Sequence, residues 1–431
     1  MYDRCVATAA IDSVTGCLTL DGQRVFPLIL SDSPPQGGKT PDGRDAWAEV
    51  ANSGLGANFI RSGRTIAKPW VLAQIDAQVA EELQRMDLAQ AHGLHCWVRL
   101  VNAANLPAPT AGVVSEPEQL LVKIATALKN HAALAVYKGA DEPAHGGTPP
   151  AGLVRAHQKL KTVDPNHPLV ITQAPLGPVT ELVPYRPAFD ISGADIYPIS
   201  YGHVHASDLP NHDISVVGDV TRKMVNAAGA KPVWMTLQIA WSGMLPTHDD
   251  PDRVPRFPSF PELRFMAYQA IVNGARGLAF FGGQYTQVMR PRDAATGWNW
   301  TFWQLVLRPL LEELNSPTVR PALLAAPAQH AVTSTATDVE VATRRAGNTL
   351  YLIAVRRSAT KTDQVHFSGL PHKDNGTPIV AGEVAFEYAQ DPPSPPTQPD
   401  KQRFRYIKVA NVGFTDWLGP HDVRVYRFKL A

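Results

Sequence analysis

The chain has 431 residues, of which 44% are hydrophobic and 18% are charged, and its formal net charge is +1. This near-neutral balance, without any long run of lysine or arginine, argues against nucleic acid or an anionic membrane surface as a partner. No segment approaches the ~18 consecutive apolar residues that a membrane span requires. The length suits one barrel of about 250 residues or more and an accessory domain.

The three cysteines are too few for a disulfide framework or a four-cysteine zinc site. Cys96 lies in an apolar run and is expected to be a buried thiol, whereas a bridge between Cys5 and Cys17 remains open. The first thirty residues lack a basic start followed by an apolar segment. We therefore expect the chain to be cytoplasmic as written, or secreted or periplasmic if a leader has been removed.

Between residue 23 and about residue 315, short apolar runs alternate with amphipathic stretches, which is typical of a parallel α/β fold. Eight runs are predicted to be strands: Arg24–Leu30, Gly56–Arg61, Leu94–Val101, Ala133–Glu142, Pro168–Gln173, Asp190–Pro198, Pro232–Ile239 and Gly277–Gly283. The intervening helices are predicted at Gln74–His92, Glu116–Asn130, Ala151–Val163, Val216–Ala228, Phe260–Asn273 and Trp300–Leu314. This pattern predicts a (β/α)8 barrel, since no Gly-rich phosphate turn of an open doubly wound sheet follows the first strand.

After about residue 318 the helical period disappears and turn signals separate short β-rich segments. Strands are predicted at Val339–Thr343, Thr349–Val355, Gln364–Phe367, Phe404–Val409 and Val423–Phe428, with an exposed Pro-rich loop at Asp391–Asp400. We expect a small antiparallel β-sandwich here. The predicted organisation is an N-terminal strand or hairpin extension over 1–22, the barrel over 23–317 and the sandwich over 318–431.

The fourth predicted strand stops at Asp141-Glu142-Pro143, two adjacent carboxylates followed by a proline. Because Pro143 cannot donate to a strand ladder and favours extended geometry at Glu142, the strand is expected to break there. In a (β/α)8 barrel the carboxyl ends of the strands carry the chemistry. A carboxylic acid at this edge is half of what glycoside cleavage requires.

Several motifs occur in an order that resembles the clan A glycoside hydrolases of bacteria. They are Leu20-Asp21-Gly22-Gln23, Asp141-Glu142-Pro143, Ala194-Asp195-Ile196-Tyr197-Pro198, Lys231-Pro232-Val233-Trp234-Met235-Thr236-Leu237-Gln238, Tyr268-Gln269-Ala270-Ile271-Val272-Asn273-Gly274-Ala275-Arg276-Gly277, Phe414-Thr415-Asp416-Trp417 and Val423-Arg424-Val425-Tyr426. The resemblance implies a barrel with a C-terminal β domain, a carbohydrate substrate and Glu142 as the acid/base residue. Asp141 replaces the family's asparagine, and Gln238 stands where the family has its nucleophilic glutamate. An amide cannot form the glycosyl ester of the retaining mechanism.

The catalytic candidates are therefore Glu142, Asp195 and Asp141. Glu142 would be a general acid whose pKa is raised by burial and a neighbouring carboxylate, although it can also be a capping or salt-bridging residue. Asp195 shares a strand face with Tyr197 and can activate water or merely accept hydrogen bonds. Because position 238 is Gln, we expect either inversion, with Asp195 or Asp141 activating water, or a nucleophile from a position that the family motif does not match. A carboxyl separation of roughly 6.5–9.5 Å predicts inversion and about 5–5.5 Å predicts retention.

Other polar and aromatic residues are predicted to bind substrate from the same edge. Arg61 and Arg99 close two strands and can hold an anionic or polyhydroxylated ligand, or form structural ion pairs. Aromatic side chains near the predicted loops can stack on sugar rings, or can pack those loops down. The predicted binding residues are Arg61, Arg99, Tyr197, Gln238, Trp241, Gln284, Trp298 and Trp300, with Tyr201 as a further aromatic candidate.

No metal and no cofactor are predicted. His203 and His205 lack a third ligand in a clear frame, and Lys138 is expected to form a salt bridge within the barrel rather than a Schiff base. We predict a glycoside hydrolase with a carbohydrate substrate, and the oligomeric state is left open. The alternatives are a catalytically silent carbohydrate-binding barrel, or a lyase or isomerase that acts on a sugar acid held by Arg61 or Arg99.

Overall fold

The computed structural model describes residues 8–61, 63–200, 204–245, 254–329, 331–388 and 404–431. Cys5, Tyr201, His203 and the Pro-rich segment Asp391–Asp400 lie outside these residues. Cys96 is fully buried, as expected for a structural thiol. Within the described ranges, no helix combines the length and the apolar character needed to cross a membrane.

Three short strands form an antiparallel sheet at the start of the described chain: β1 (Ala9–Ile11), β2 (Leu18–Leu20) and β3 (Gln23–Val25). Buried Leu18 and Leu20 pack in one cluster with Ile29 and Phe59, two side chains of the barrel strands. The expected single strand at Arg24–Leu30 is wrong, because its first residues belong to β3. Pro27 has no N–H to donate and separates β3 from the first barrel strand.

Eight parallel strands form a closed barrel, as predicted. They are β4 (Leu28–Leu30), β5 (Phe59–Arg61), β6 (His95–Arg99), β7 (Leu134–Asp141), β8 (Leu169–Gln173), β9 (Ile191–Ile196), β10 (Val233–Gln238) and β11 (Ala275–Phe281). Neighbours in the chain are neighbours in the barrel, and β11 closes it by pairing with β4. Both faces of these strands are covered, which explains their nearly continuous apolar sequences.

Helices surround the barrel. They are α1 (Ala46–Ala51), α2 (Ile75–Ala91), α3 (Glu116–Leu128), α4 (Pro150–Val163), α5 (Val179–Leu182), α6 (Val216–Ala228), α7 (Phe260–Val272), α8 (Pro291–Ala294), α9 (Trp300–Phe302), α10 (Arg308–Asn315) and α11 (Arg320–Leu323). A π-helical stretch, Trp303–Leu307, joins α9 to α10 within the predicted helix Trp300–Leu314. Asp45 caps α1 by accepting hydrogen bonds from two main-chain N–H groups of its first turn.

The C-terminal part consists of two antiparallel sheets. Their strands are β12 (Thr333–Ser334), β13 (Val339–Ala346), β14 (Thr349–Arg356), β15 (Asp363–Ser368), β16 (Ala381–Tyr388), β17 (Phe404–Lys408), β18 (Gly413–Leu418) and β19 (Val423–Lys429). The sheet orders are β12-β15-β18 and β13-β14-β19-β16-β17. The five strands expected from the sequence are present, and β12, β16 and β18 were missed. The domain division near residue 317 stays a prediction; α10 ends at Asn315.

The five-stranded sheet packs on the side of the barrel, against α7. Glu340 of β13 accepts hydrogen bonds from Gln269 Nε2 at 3.0 Å and Asn273 Nδ2 at 2.9 Å. Arg357 pairs with Asp219 of α6 at 2.7 Å. These polar contacts fix the five-stranded sheet to helices α6 and α7 on the outside of the barrel.

Candidate active site

A cleft of ≈ 240 Å³ lies at the carboxyl ends of the barrel strands. This is the end at which (β/α)8 barrels place their chemistry. The volume is below the roughly 300 Å³ at which pockets for drug-sized ligands begin, so the cleft suits a small group such as one sugar ring. Its charged and hydrogen-bonding lining comprises Ser31, Arg61, Arg99, Lys138, Asp141, Glu142, Thr172, Asp195, His205 and Thr236.

Glu142 has an unusual backbone conformation. Strand β7 ends at Asp141, and Glu142 then takes a positive φ of 46°, which is uncommon for a residue with a side chain. Its N–H donates to Thr172 O at 2.7 Å, which holds the turn in place. The expectation of extended geometry before Pro143 is therefore wrong. The left-handed turn lets Asp141 and Glu142 both line the cleft, although adjacent strand residues point to opposite faces.

Glu142, Asp195 and His205 form a compact cluster in this cleft. His205 Nδ1 lies 3.2 Å from Glu142 Oε1 and 3.4 Å from Asp195 Oδ2. One oxygen of each carboxylate and one nitrogen of His205 lie within 4.8 Å of one another. The N–H of Tyr197 donates to His205 O at 2.7 Å. The loop that follows β9 therefore folds back and brings His205 to the carboxyl end of β9.

The three groups of the cluster set each other's protonation. Burial and the charge of Glu142 raise the pKa of Asp195 well above its usual range. Burial alone would raise the pKa of Glu142, but His205 beside it lowers that pKa below the ordinary value. Burial opposes protonation of His205, yet the two carboxylates raise its pKa. These shifts favour a proton on Asp195 over one on Glu142, and they favour the charged over the neutral form of His205.

Asp141 is held by two cations. Lys138 Nζ donates to its Oδ1 at 2.8 Å, and Arg99 Nη2 donates to its Oδ2 at 3.0 Å. Burial alone would raise the pKa of Asp141, but Lys138 and Arg99 hold it at about 2. Lys138 forms a salt bridge, in line with the sequence analysis. Asp141 is thus a permanent anion whose two oxygens both accept hydrogen bonds from cations.

A second ion pair includes Arg61, another residue that lines the cleft. Arg61 Nη1 lies 2.7 Å from Oδ1 of Asp32, a buried carboxylate just after β4. Burial raises the pKa of Asp32 even though Arg61 opposes the shift. Asp32 was not identified from the sequence, where Ser31-Asp32-Ser33 reads as an ordinary polar turn.

Aromatic side chains form another wall, but they are largely different from those expected. Tyr197 stacks on Phe281 with ring centroids 5.3 Å apart, and Tyr285 meets Phe281 edge-on. Tyr197, Phe281 and Tyr285 all line the cleft. Trp298 and Trp300 are each only 1% exposed and belong to the core, so neither presents an open ring face to the cleft.

The remaining predicted binding residues have other surroundings. Trp241 is half-buried and lies close against Gly243, and Gln284 is partly buried beside Tyr285. Gln238 is fully buried, with its Oε1 accepting from Ile199 N at 2.9 Å and its Nε2 donating to Ala240 O at 3.1 Å. The Gln238 amide is therefore engaged by the main chain. Thr236, two residues earlier on β10, lines the cleft.

Among the described residues, Glu142, Asp195 and His205 are the set whose spacing would also suit a divalent cation. Carboxylate and imidazole ligands fit such ions. The cationic side chains of Lys138 and Arg99 in the same cleft oppose a further positive charge. The sequence analysis considered His205 with His203 as a metal pair and did not predict a metal. His205 lies beside the two carboxylates, and His203 lies outside the described residues.

Comparisons with known proteins agree with this architecture. No protein-family model matches the chain, and no curated protein sequence shows significant similarity to it. A glycoside hydrolase family 5 structure from Bacteroides vulgatus has a TM-score of 0.60 at 11% identity, covering 98% of this chain and 93% of its own. A structure described as a glycoside hydrolase has a TM-score of 0.59 at 11% identity, with 99% and 97% covered.

A GH30 endoxylanase from Clostridium papyrosolvens has a TM-score of 0.51 at 12% identity, covering 98% of this chain and 99% of its own. At such low identities the similarity shows the fold. The chain has the (β/α)8 barrel with C-terminal antiparallel sheets that occurs in these glycoside hydrolase structures, which confirms the predicted fold class.

Proposed function

We propose that the protein hydrolyses a glycosidic bond of a carbohydrate in this cleft. The observation that carries the proposal is the pair of Glu142 and Asp195, whose carboxylate oxygens lie within 4.8 Å of one another. Glycoside cleavage needs two carboxyl groups, one that supplies a proton and one that acts as an anion. The fold shared with glycoside hydrolases adds support by analogy.

Asp195 is the carboxyl group of this pair that binds the proton more tightly. Asp195 is the more deeply buried group, and its pKa is raised by burial and by Glu142. Asp195 therefore supplies the proton to the leaving oxygen. Glu142, which the sequence analysis had assigned as the acid, carries the negative charge beside His205. This assignment differs from the acid/base role that the family resemblance implied for Glu142.

One oxygen of Glu142 lies within 4.8 Å of one oxygen of Asp195, and this closest approach supports retention rather than inversion, which was one expectation from the sequence. An inverting pair leaves roughly 6.5–9.5 Å between its carboxyl groups to hold a water molecule, whereas a retaining pair lies about 5–5.5 Å apart. Glu142 attacks the anomeric carbon while Asp195 protonates the leaving oxygen. Asp195 then takes a proton from water, whose oxygen displaces Glu142 and restores the starting state.

His205 contributes by position. Its Nδ1 faces both carboxylates at 3.2 and 3.4 Å, so a protonated imidazole stabilises the Glu142 anion before attack. Asp141 is engaged by Lys138 and Arg99 and serves to orient these cations. This arrangement leaves Glu142 as the ionised carboxylate available for attack.

The test is product release from a broad panel of 4-nitrophenyl glycosides, oligosaccharides and polysaccharides. Proton NMR of the first product would follow the anomeric configuration. We expect hydrolysis of at least one panel member, with the anomeric configuration of the product retained. Release of the inverted anomer would contradict the assigned roles, and no hydrolysis across the panel would contradict the proposed activity.

A catalytically silent carbohydrate-binding barrel is the second candidate. Gln238 at the end of β10 favours this candidate, because its amide is hydrogen-bonded to the main chain. The clan A enzymes that the sequence resembles carry their nucleophile at the matching position. Glycan binding without any turnover, unchanged in Glu142→Gln, would support this candidate. Loss of measurable turnover in Glu142→Gln supports hydrolysis.

A further inference from the structure

Three cationic side chains line one side of the cleft, on consecutive barrel strands. Arg61 is the last residue of β5, Arg99 is the last residue of β6, and Lys138 lies in β7. All three contribute to the cleft wall. The charge of Arg99 also acts on Arg61, whose pKa is lowered by burial and by this neighbour. Strands β5 and β6 pair with Arg61 opposite Trp97, two residues before Arg99, so both arginines reach the same cleft from neighbouring strands.

The carboxylates on this side do not balance the three cations. Asp32 pairs with Arg61, and Asp141 accepts from both Lys138 and Arg99. Three cations thus face two acids among the described residues of this wall, which leaves an excess of one positive charge. Burial raises the pKa of Asp32, so its negative charge is the more easily lost of the two.

The arginines can be reached from the cleft, whereas the lysine cannot. The side chains of Arg61 and Arg99 are 20% and 12% exposed, and that of Lys138 is 2% exposed. A guanidinium presents several N–H donors in a fixed plane, which matches an oxyanion better than a neutral hydroxyl. Arg61 and Arg99 are therefore the groups that a ligand would contact.

The rest of the cleft fixes the direction in which a charged sugar would lie. Glu142, the ionised carboxylate of the pair, repels an anionic substituent from the region of bond cleavage. Phe281 and Tyr285, which are partly exposed, offer aromatic surface for the apolar face of a ring. An anionic substituent is therefore directed towards the arginines while the anomeric centre faces the carboxylate pair.

We infer that the cleft selects a sugar with an anionic substituent, bound by Arg61 and Arg99. This inference rests on the proposed function for the orientation of the ring, and it names the substrate class of the same site. A carboxylate, as in a uronic acid, and a sulfate ester share the required chemistry, because both present oxyanions to a guanidinium plane.

The first arm of the test measures binding by calorimetry, without reliance on turnover. D-glucuronate and D-galacturonate are compared with D-glucose, D-galactose and D-glucose 6-sulfate. We expect the charged sugars to bind at least tenfold more tightly than the neutral ones. A preference for the uronates over the sulfate assigns the carboxylate, and the reverse assigns the sulfate. Equal affinity for charged and neutral sugars, or no binding of any, would overturn the inference.

The second arm uses Arg61→Gln and Arg99→Gln, with Arg61→Lys as a milder variant. We expect each glutamine variant to lose tenfold or more in affinity for the best charged sugar and to keep its affinity for the neutral ones. The affinity of Arg61→Lys for the charged sugar should lie between those of wild type and Arg61→Gln, since lysine keeps the positive charge but lacks the planar guanidinium. Thermal unfolding identifies a variant that fails to fold. Unchanged affinity for charged sugars in the folded variants would overturn the inference.

The third arm separates this inference from the proposed function. Nitrophenyl glucuronides and glucosides are compared for hydrolysis by the wild-type protein. Hydrolysis restricted to neutral glycosides would contradict the inference and leave the proposed activity in place. Tight binding of uronates without hydrolysis of any glycoside would support the anionic-sugar inference and contradict the proposed hydrolytic activity. Release of an unsaturated, ultraviolet-absorbing product from a uronide would support the anionic site and assign a lyase reaction.

Discussion

Glu142 directly follows strand β7 and Asp195 belongs to strand β9, with β8 between them, yet one oxygen of each carboxylate lies within 4.8 Å of the other. Strands two apart are roughly 9.5 Å apart in a sheet, so the side chains must lean towards each other. The positive φ at Glu142 and its N–H bond to Thr172 direct one carboxylate inward. A left-handed backbone at a side-chain-bearing residue costs about 1–3 kcal/mol, and such strain clusters at functional sites.

Replacing His205 should move the pH profile of activity. In His205→Asn the positive charge beside Glu142 is lost, so the pKa of Glu142 rises and the acidic limb should move up by about one pH unit. Asp141, Lys138 and Tyr197 also act on this cluster and remain in the variant. The measurement is kcat/KM against pH, with the exposed His366→Asn as control. If the rate falls but the acidic limb of the pH profile does not move, His205 contributes only by packing.

Restoring a carboxylate at position 238 should not create a nucleophile. In Gln238→Glu a protonated side chain can reproduce both main-chain bonds, but an anion would face Ala240 O. We expect a loss of about 3 kcal/mol in unfolding free energy at pH 8 and much less at pH 5, with no gain in activity. Denaturant unfolding at both pH values checks this, with the exposed Gln90→Glu as control. Increased turnover would place position 238 in the reaction.

Buried Glu82 should weaken the fold at alkaline pH. Desolvation raises its pKa from 4.5 to about 7, so the folded state binds this proton more tightly than the unfolded chain does. The unfolding free energy therefore falls as pH rises through this interval. Glu82→Gln should reduce the stability difference between pH 5 and pH 8 by about 2 kcal/mol. An unchanged difference in denaturant unfolding would show that another group controls it.

Chelation should leave activity unchanged. Glu142, Asp195 and His205 have a spacing that suits a divalent cation, but Lys138 and Arg99 add positive charge to the same cleft. We expect equal rates before and after dialysis against EDTA. A loss of activity that zinc or manganese restores would assign these three residues to a metal site instead.

Much of the barrel could be predicted because parallel strands covered on both faces appear as apolar runs. The errors have local causes. Pro27 divides an apolar run into two strands of different sheets. In β18 a polar residue faces inward and an apolar residue faces outward. Asp416 is buried and accepts hydrogen bonds from Arg405 and Tyr426, whereas Trp417 is 55% exposed. Such a strand lacks the alternation from which strands are identified.

The site was predicted less completely than the fold. The motifs around Glu142 and Asp195 identified four lining residues, Asp141, Glu142, Asp195 and Tyr197, because they lie at or near the carboxyl ends of apolar runs. The approach of Glu142 and Asp195 through His205 depends on how the loop after β9 folds back, which periodicity does not encode. The burial of Trp298 and Trp300 was equally hidden, since an indole in a loop has the same sequence signature whether it packs inward or faces a ligand.

The most direct test of the carboxylate pair compares kcat/KM on the best panel substrate for wild type, Glu142→Gln, Asp195→Asn and the exposed control Glu116→Gln. We predict that each site variant loses at least about a hundredfold while keeping its thermal stability, and that Glu116→Gln matches wild type. Wild-type rates in a folded Glu142→Gln or Asp195→Asn would contradict the proposal that these two residues carry the reaction.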